Sequence, residues 1–548
     1  MAGVYIIIGE CHRERVEAAA GRLKFFEEET RIVCEPGFSA AWIGHDDASL
    51  FAPAFDAQTG VRVITAGRVS WDEPDWKRAE QLQQFDGGLS NRLLLECYLA
   101  GGAAALNRHN GPAALIVWDP RDQRVHLWTD HFGYHPLFLY RPDNLAEAVI
   151  STYADAIAKD TAVNVTPDEV SMAEFLSAWR VTPPHTYYRE IKYAGAAVQC
   201  IWDLRRQTFN RTEYWRPYQT EPFPDIESAA EELASAVRHA VRIRTLPRLG
   251  PIVCYTSGGM DSRAILFAAA SPQDMIGVNL YDVPNKEAAI SKRLCHAAGV
   301  RYVGFARDEE YYPRWLSEGA RISGGMWSQE DNHFLGTRDL VSGLDARTVM
   351  TACTTDWLFK GYGLEKAYVN LAGRNLPIKK LTSERVDGFL PNIPRTVPAE
   401  FRAQVAERLE EHFRGIPRQL KTDADWLAVE DRRVRPACYT VSVSGQIMYR
   451  IFPYDTFLAD RRIADCYSRS RAKWKLNADL WAKAVQRICA AAGDVEDANF
   501  GWRIGSSTSR KLISFARGWV GRRLKPANLE QNGLANEGSW PNLGWYPL

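Results

Sequence analysis

The chain has 548 residues, 46% apolar and 24% charged, enough material for two to four globular domains. Its 67 basic and 67 acidic residues cancel, which removes any bulk electrostatic pull toward nucleic acid or a membrane surface. No run of about 18 uncharged apolar residues is present to span a bilayer, and Met1-Ala2-Gly3-Val4-Tyr5 lacks the basic start and long apolar run of a signal peptide. In chain order, Tyr5-Ile6-Ile7-Ile8-Gly9 is an apolar run of strand length. Val61 to Ala66 alternates and stops at Gly67, again as a strand. Asn91 to Ala100 has helical composition and meets a stop signal at Gly101-Gly102. Ala113–Asp119 and Arg124–Asp130, joined by Pro120-Arg121-Asp122-Gln123, predict a β-hairpin. Residues 1–205 thus read as a first, mixed α and β domain with antiparallel pairing.

A proline-bearing polar stretch over 217–224 reads as a linker. Ser228 with Glu231 predicts a capping box for a long helix reaching Arg244, with Leu233, Val237, Ala240 and Val241 at helical spacing. Pro251–Thr256 is a short strand, and a glycine loop and a helix start follow. Strand 275–280, helix 286–298 and strand 301–305 come next. Strands alternating with helices predict a parallel sheet with right-handed crossovers. The second domain is placed at 206–525, and 526–548, rich in Asn, Gly, Pro and Trp, reads as an irregular tail. Ten scattered cysteines without a CxxC pair predict buried reduced thiols in the cytoplasm rather than a disulfide framework or a zinc site. His131 and His135 read as structural, since His-x3-His alone lacks a third ligand.

Ser257-Gly258-Gly259-Met260-Asp261-Ser262 lies between a buried strand and a helix. Glycines there let backbone N–H groups turn toward one point, and the helix N-terminus adds partial positive charge. Phosphate is the guest such a cradle fits, with Ser257 and Ser262 adding hydroxyl donors. Asp261 would repel phosphate directly but can hold Mg²⁺ that bridges to it. The loop lacks the lysine of the Gly-x4-Gly-Lys-[Ser/Thr] phosphate loop.

This hexapeptide resembles the pyrophosphate loop of the asparagine synthetase family, which includes β-lactam synthetases and lasso peptide cyclases. Similar too are Leu106-Asn107-Arg108-His109-Asn110-Gly111, Val117-Trp118-Asp119, Thr129 to Leu137, Tyr214-Trp215 and the segment Thr351 to Tyr362. The resemblance implies an N-terminal Ntn-hydrolase-like antiparallel sandwich and a C-terminal parallel-sheet PP-loop ATP pyrophosphatase domain. It implies ATP and Mg²⁺ as cofactors. The nucleotide site would comprise Val253, Ser257, Gly258, Gly259, Asp261, Ser262, Gly277, Val278 and Thr351. Asp261 and Asp356 would be metal ligands. In such enzymes a carboxylate attacks the α-phosphate of ATP, pyrophosphate leaves, and an amine displaces AMP.

Three departures narrow the expectation. Ala2 stands where glutamine-hydrolysing members expose a cysteine nucleophile, and Trp71 stands where the family has Asn; a methyl group cannot attack an amide. Cys353 replaces an acidic residue or glycine. Pro453-Tyr454-Asp455 stands for a Pro-Phe-Leu-Asp segment, and the stretch Lys473 to Lys483 resembles the region that bears a transition-state lysine; Lys483 is preferred over Lys475 as that catalytic lysine, beside Asp261. The expected activity is an ATP-dependent, AMP-forming amide ligase without its own glutaminase. Its substrate is a small-molecule or peptide carboxylate with an amine acceptor, in one form a macrolactam-closing peptide brought by a partner protein. A non-catalytic nucleotide-binding scaffold is the alternative from another class, and Ala2 disfavours glutamine-dependent asparagine synthesis. The basic segment Arg510–Lys525 reads as a solvated face or a site for an acidic partner.

Overall fold

The computed structural model describes residues 3–498 and 504, apart from 46, 142–146, 179, 218–219, 326–328, 365, 372–373, 382, 391–392, 396, 437–442 and 493–494. Ala2, the basic segment 510–525 and the tail 526–548 therefore lie outside the described residues.

The N-terminal half stacks two six-stranded antiparallel sheets. One runs in the order Ile191–Tyr193, Phe138–Tyr140, Ala148–Ser151, Gly3–Gly9, Gly37–Gly44, Glu29–Glu35. The other runs Thr208–Glu213, Val198–Asp203, Arg124–Trp128, Ala113–Asp119, Arg62–Gly67, Ala54–Phe55. The apolar run at the start is continuous because both its faces are covered. Val4, Ile6 and Ile8 point between the sheets with Ile116 and Trp118, while Tyr5 and Ile7 pack on the helices Arg13–Leu23 and Ala154–Ala158. On the far side, Val63, Leu115, Val117 and Trp128 pack with Leu93, Leu94 and Tyr98 of the helix Leu89–Leu106. The half is thus four layers deep. The expected hairpin is present with Asp119 opposite Arg124. The glycine stop is present: Gly102, at φ 64° and ψ −163°, is non-helical and ends the first helical segment of Leu89–Leu106, and a second short one follows it at a kink.

The linker leads to the helix Ile226–Arg244. Its N-cap is Asp225, one turn before the expected Ser228; the Asp225 carboxylate accepts from Ser228 N at 2.8 Å and Ser228 Oγ at 2.9 Å. An ionised carboxylate at the positive helix end is the stronger cap. Five parallel strands then form one sheet, in the order Arg301–Ala306, Met275–Tyr281, Ile252–Tyr255, Thr348–Met350, Tyr454–Asp455. The winding runs one way through the first three strands and reverses for the last two. The reversal lies between Ile252–Tyr255 and Thr348–Met350, and in such sheets the ligand crevice opens beyond the carboxyl ends of strands at that point.

The cysteine expectation is corrected at one pair. Cys11 and Cys34 form a disulfide, brought together because the helix Arg13–Leu23 carries the chain back alongside its starting strand. Among the described residues seven cysteines are free, and five of those are buried. No described helix is long and apolar enough to cross a membrane.

Candidate functional site

Both motif loops leave the sheet at its reversal. Ser257–Ser262 follows the strand Ile252–Tyr255, and Thr351–Asp356 follows Thr348–Met350. The first loop starts from a fixed point: Thr256 N donates to Val278 O at 2.7 Å, and Asn279 Nδ2 donates to Thr256 O at 2.7 Å. Gly258 has φ +72°, and a Cβ there would meet Ile290 Cγ2 at 2.9 Å and Ala498 Cβ at 3.3 Å. Glycine is thus required both by backbone angle and by space. Gly259 caps the helix Met260–Ala268, so the helix begins inside the motif and turns its free N–H groups on the loop. Arg263 clamps the far side, donating to Val495 O at 2.9 Å and Glu496 O at 2.7 Å, while Ala498 N donates to Gly258 O at 3.2 Å.

The two aspartates predicted as metal ligands are brought together. Lys360 Nζ lies 2.6 Å from Asp261 Oδ2 and 2.9 Å from Asp356 Oδ1. Asp261 also accepts from Trp481 Nε1 at 2.7 Å. Burial pushes the Asp261 carboxyl up, opposed by Lys360 and assisted by Asp356. Burial alone would lower the Lys360 ammonium, but the two carboxylates outweigh it and hold it well above its ordinary value. The result is a half-buried triad of one cation and two anions in the crevice. Among the described residues no group of three or more His, Cys, Asp or Glu side chains converges as a metal cage. Two hard carboxylates that already share a cation do fit Mg²⁺, which takes one or two carboxylates and completes its shell with water and phosphate oxygens.

The second loop is held by the N-terminal half. Thr354 has φ +78°, and its Oγ1 shares a hydrogen bond of 2.5 Å with Tyr134 OH. Thr351 Oγ1 shares another of 2.6 Å with Tyr454 OH. Burial pushes the Cys353 thiol up, so it stays protonated and is no base.

Other expected residues fall elsewhere. Val253 and Val278 are fully buried core residues within their strands, and a Cβ on Gly277 would meet Cys295 Sγ at 2.4 Å, so that glycine serves helix–sheet packing. Lys483 is corrected: its ammonium pairs with Glu227 on the outer side of the long helix, 2.5 Å away. Trp481, two residues earlier on the same helix, faces Asp261, and two residues of helix turn a side chain about 200° away. Lys475 is fully buried against Glu430. His131 and His135 are packed on Trp215 and Tyr449, in agreement with a structural role. Lys360, Trp481 and Tyr134 were not foreseen. Lys360 had a signal in the sequence, since it lies four residues after Asp356 in a segment of helical character.

In the N-terminal half, Arg68 and Asn91, polar groups near Trp71, are engaged structurally. Arg68 donates to Thr348 Oγ1 at 2.8 Å and Arg347 O at 2.6 Å, and Asn91 Nδ2 donates to Phe51 O and Ala52 O, both at 2.9 Å.

Residues 77–215 match the family of glutamine amidotransferase domains. No curated protein matches the chain. Among solved structures, the glutamine phosphoribosylpyrophosphate amidotransferase of B. subtilis, complexed with ADP and GMP, is similar over 75% of this chain and 92% of its own, at 9% identity and a TM-score of 0.29. That likeness is too slight to carry an argument. Part of the N-terminal half, residues 77–215, is thus similar to glutamine amidotransferase domains, and that half is joined to one built on a five-stranded parallel sheet.

Proposed function

We propose that the chain is an ATP-dependent, AMP-forming amide-bond ligase of the asparagine synthetase kind, working without glutamine hydrolysis of its own, with the parallel-sheet half a PP-loop domain. The observation that carries this reading is the convergence of Asp261 and Asp356, from two loops at the sheet reversal, on Lys360 beside a glycine-led helix N-terminus. Carboxylate pairs, a cation and free N–H groups gathered in one crevice suit a polyphosphate.

In the proposed reaction a substrate carboxylate oxygen attacks the α-phosphorus of ATP. The bond from that phosphorus to the bridging oxygen breaks, and pyrophosphate leaves. An amine nitrogen then attacks the acyl carbon, the bond to AMP breaks, and the amine loses a proton to solvent. Gly258 and Gly259 allow close approach of the phosphates, the helix N–H groups bind the leaving pyrophosphate, and Ser257 and Ser262 supply hydroxyls. Asp261 and Asp356 would hold Mg²⁺, which when bound would neutralise polyphosphate charge. Lys360 takes the place expected for Lys483 as the cation near the leaving group. The structural use of Arg68 and Asn91 supports an amine drawn from ammonia, a partner or the substrate itself. The last option is the arrangement a macrolactam-closing peptide needs.

The test is pyrophosphate release from MgATP with panels of carboxylic acids and amines, wild type against Asp261→Asn. Acid-dependent release that falls by at least about 100-fold in the variant supports the reading. Nucleotide binding without release under any acid favours a scaffold, and absence of nucleotide binding sinks both.

A further inference from the structure

The second motif loop contains a residue in a conformation that its own chemistry disfavours. Thr354 lies at φ +78° and ψ −6°, in the left-handed region. A β-branched side chain crowds the backbone there, and such a residue persists only where its surroundings hold it. Thr354 is buried, and the group that meets its hydroxyl, Tyr134 OH at 2.5 Å, belongs to the other half of the chain, 220 residues away in sequence.

The angle at Thr354 matters because the next element starts from it. Thr354 O accepts from Trp357 N at 3.0 Å and from Leu358 N at 3.1 Å, and Thr354 caps the short helix Thr355–Phe359. Asp356 sits in the first turn of that helix, and its carboxylate meets Lys360 Nζ at 2.9 Å opposite Asp261. The direction in which Asp356 leaves the loop is therefore set at Thr354.

Tyr134 is a firm support. It is buried in a turn folded around the fully buried Asp130, whose carboxylate accepts from Phe132 N and Tyr134 N, both at 3.1 Å, and from His135 N at 3.0 Å. Phe132 packs edge-on against Tyr467 and Trp215, with ring centroids 5.5 Å and 5.6 Å away. The same half grips the start of the strand that feeds the loop, through Arg68 on Thr348 Oγ1 and Arg347 O. The N-terminal half thus holds the strand Thr348–Met350 at one end and the loop that follows it at the other.

We propose that Tyr134 is a positioning residue for the nucleotide site: its hydroxyl keeps Thr354 in the left-handed conformation and so aims Asp356 at the metal position beside Asp261. The metal's part in this rests on the ligase reading, whereas the hold on Thr354 does not. The N-terminal half then serves the reaction through one hydroxyl, independently of where the amine comes from.

The experiment compares full-length wild type, Tyr134→Phe, Thr354→Asn and the double variant. Phenylalanine removes the hydroxyl and keeps the ring, and asparagine enters the left-handed region readily. Hydrogen exchange read by mass spectrometry without nucleotide follows the amides of residues 355–362. Tyr134→Phe is expected to speed exchange there by about threefold to tenfold, as loss of one neutral hydrogen bond would. In the Thr354→Asn background the same substitution should change exchange by less than about twofold, because asparagine needs no hold. In pyrophosphate release, Tyr134→Phe should raise the half-saturating magnesium concentration by at least about threefold and leave turnover at saturating magnesium within about twofold. Unchanged exchange at 355–362, an equal effect of Tyr134→Phe in the Thr354→Asn background, or lost turnover with an unaltered magnesium requirement overturns the proposal. A wild type that releases no pyrophosphate sinks the ligase reading instead, and exchange alone then decides the hold on Thr354.

Discussion

Lys360→Met removes the ammonium that Asp261 and Asp356 share while keeping the side chain's length and packing. Its Nζ stands 2.6 Å and 2.9 Å from the two carboxylates. At an effective dielectric of about 20, each contact is worth roughly 6 kcal/mol of attraction before desolvation. The three side chains are 13%, 24% and 42% exposed, so water screens part of that attraction, most for Asp356. Desolvation of the lysine offsets more, leaving an expected net loss of about 2–4 kcal/mol. In magnesium-free buffer the variant should melt a few degrees below wild type. The carboxylates are then left facing each other without a counter-charge, so magnesium should bind the variant more tightly than wild type and restore most of the lost stability. Scanning calorimetry of both proteins across a magnesium series reads this directly. A variant as stable as wild type without magnesium, or an equal magnesium response in both, would refute the triad's electrostatics.

Gly258→Ala places a Cβ 2.9 Å from Ile290 at φ +72°; a stability loss of about 1–3 kcal/mol by urea unfolding is expected, with nucleotide affinity reduced more than stability. Lys483→Ala should leave pyrophosphate release within about twofold of wild type, because an exposed pair with Glu227 contributes little; a loss beyond about 100-fold would return the catalytic role to it. His126, packed on Trp128 and buried, is lowered to about 4, first by burial and then by Arg124. Its stabilising share is therefore full above about pH 6.5, the unfolded value, and is lost as pH falls toward the folded one. Relative to wild type, His126→Phe should gain about 2 kcal/mol on going from pH 7.5 to pH 5, read as the difference in unfolding free energy; a constant difference would show that the ring is charged in the fold.

By itself the sequence determined the local grammar. Alternation and turn residues specified the hairpin around Pro120–Gln123, strand–helix alternation specified the parallel sheet, and the Ser257–Ser262 hexapeptide announced its strand–loop–helix setting. These features are short-range: side-chain period, turn chemistry and helix ends are settled within a few residues of chain. Gly101–Gly102 was legible in the same way, since Gly102 leaves the helical region and ends the first segment there. The same locality misled in placing the cap at Ser228, because the geometry that decides between neighbouring acceptors is not encoded in composition.

What tertiary structure alone decided is which distant groups share a space. Asp261 and Lys360 are 99 residues apart in sequence, and only the reversal of the sheet between Ile252–Tyr255 and Thr348–Met350 sets their loops side by side. Lys483 and Trp481 look equivalent in a basic, aromatic stretch; the rotation of one helix sends the indole to Asp261 and the ammonium to Glu227. Cys11 and Cys34 read as separate thiols until a helix returns the chain. Electrostatic and steric selection at a site acts through distances of a few ångströms, and the sum of packing across both halves fixes those distances, which no window of residues contains.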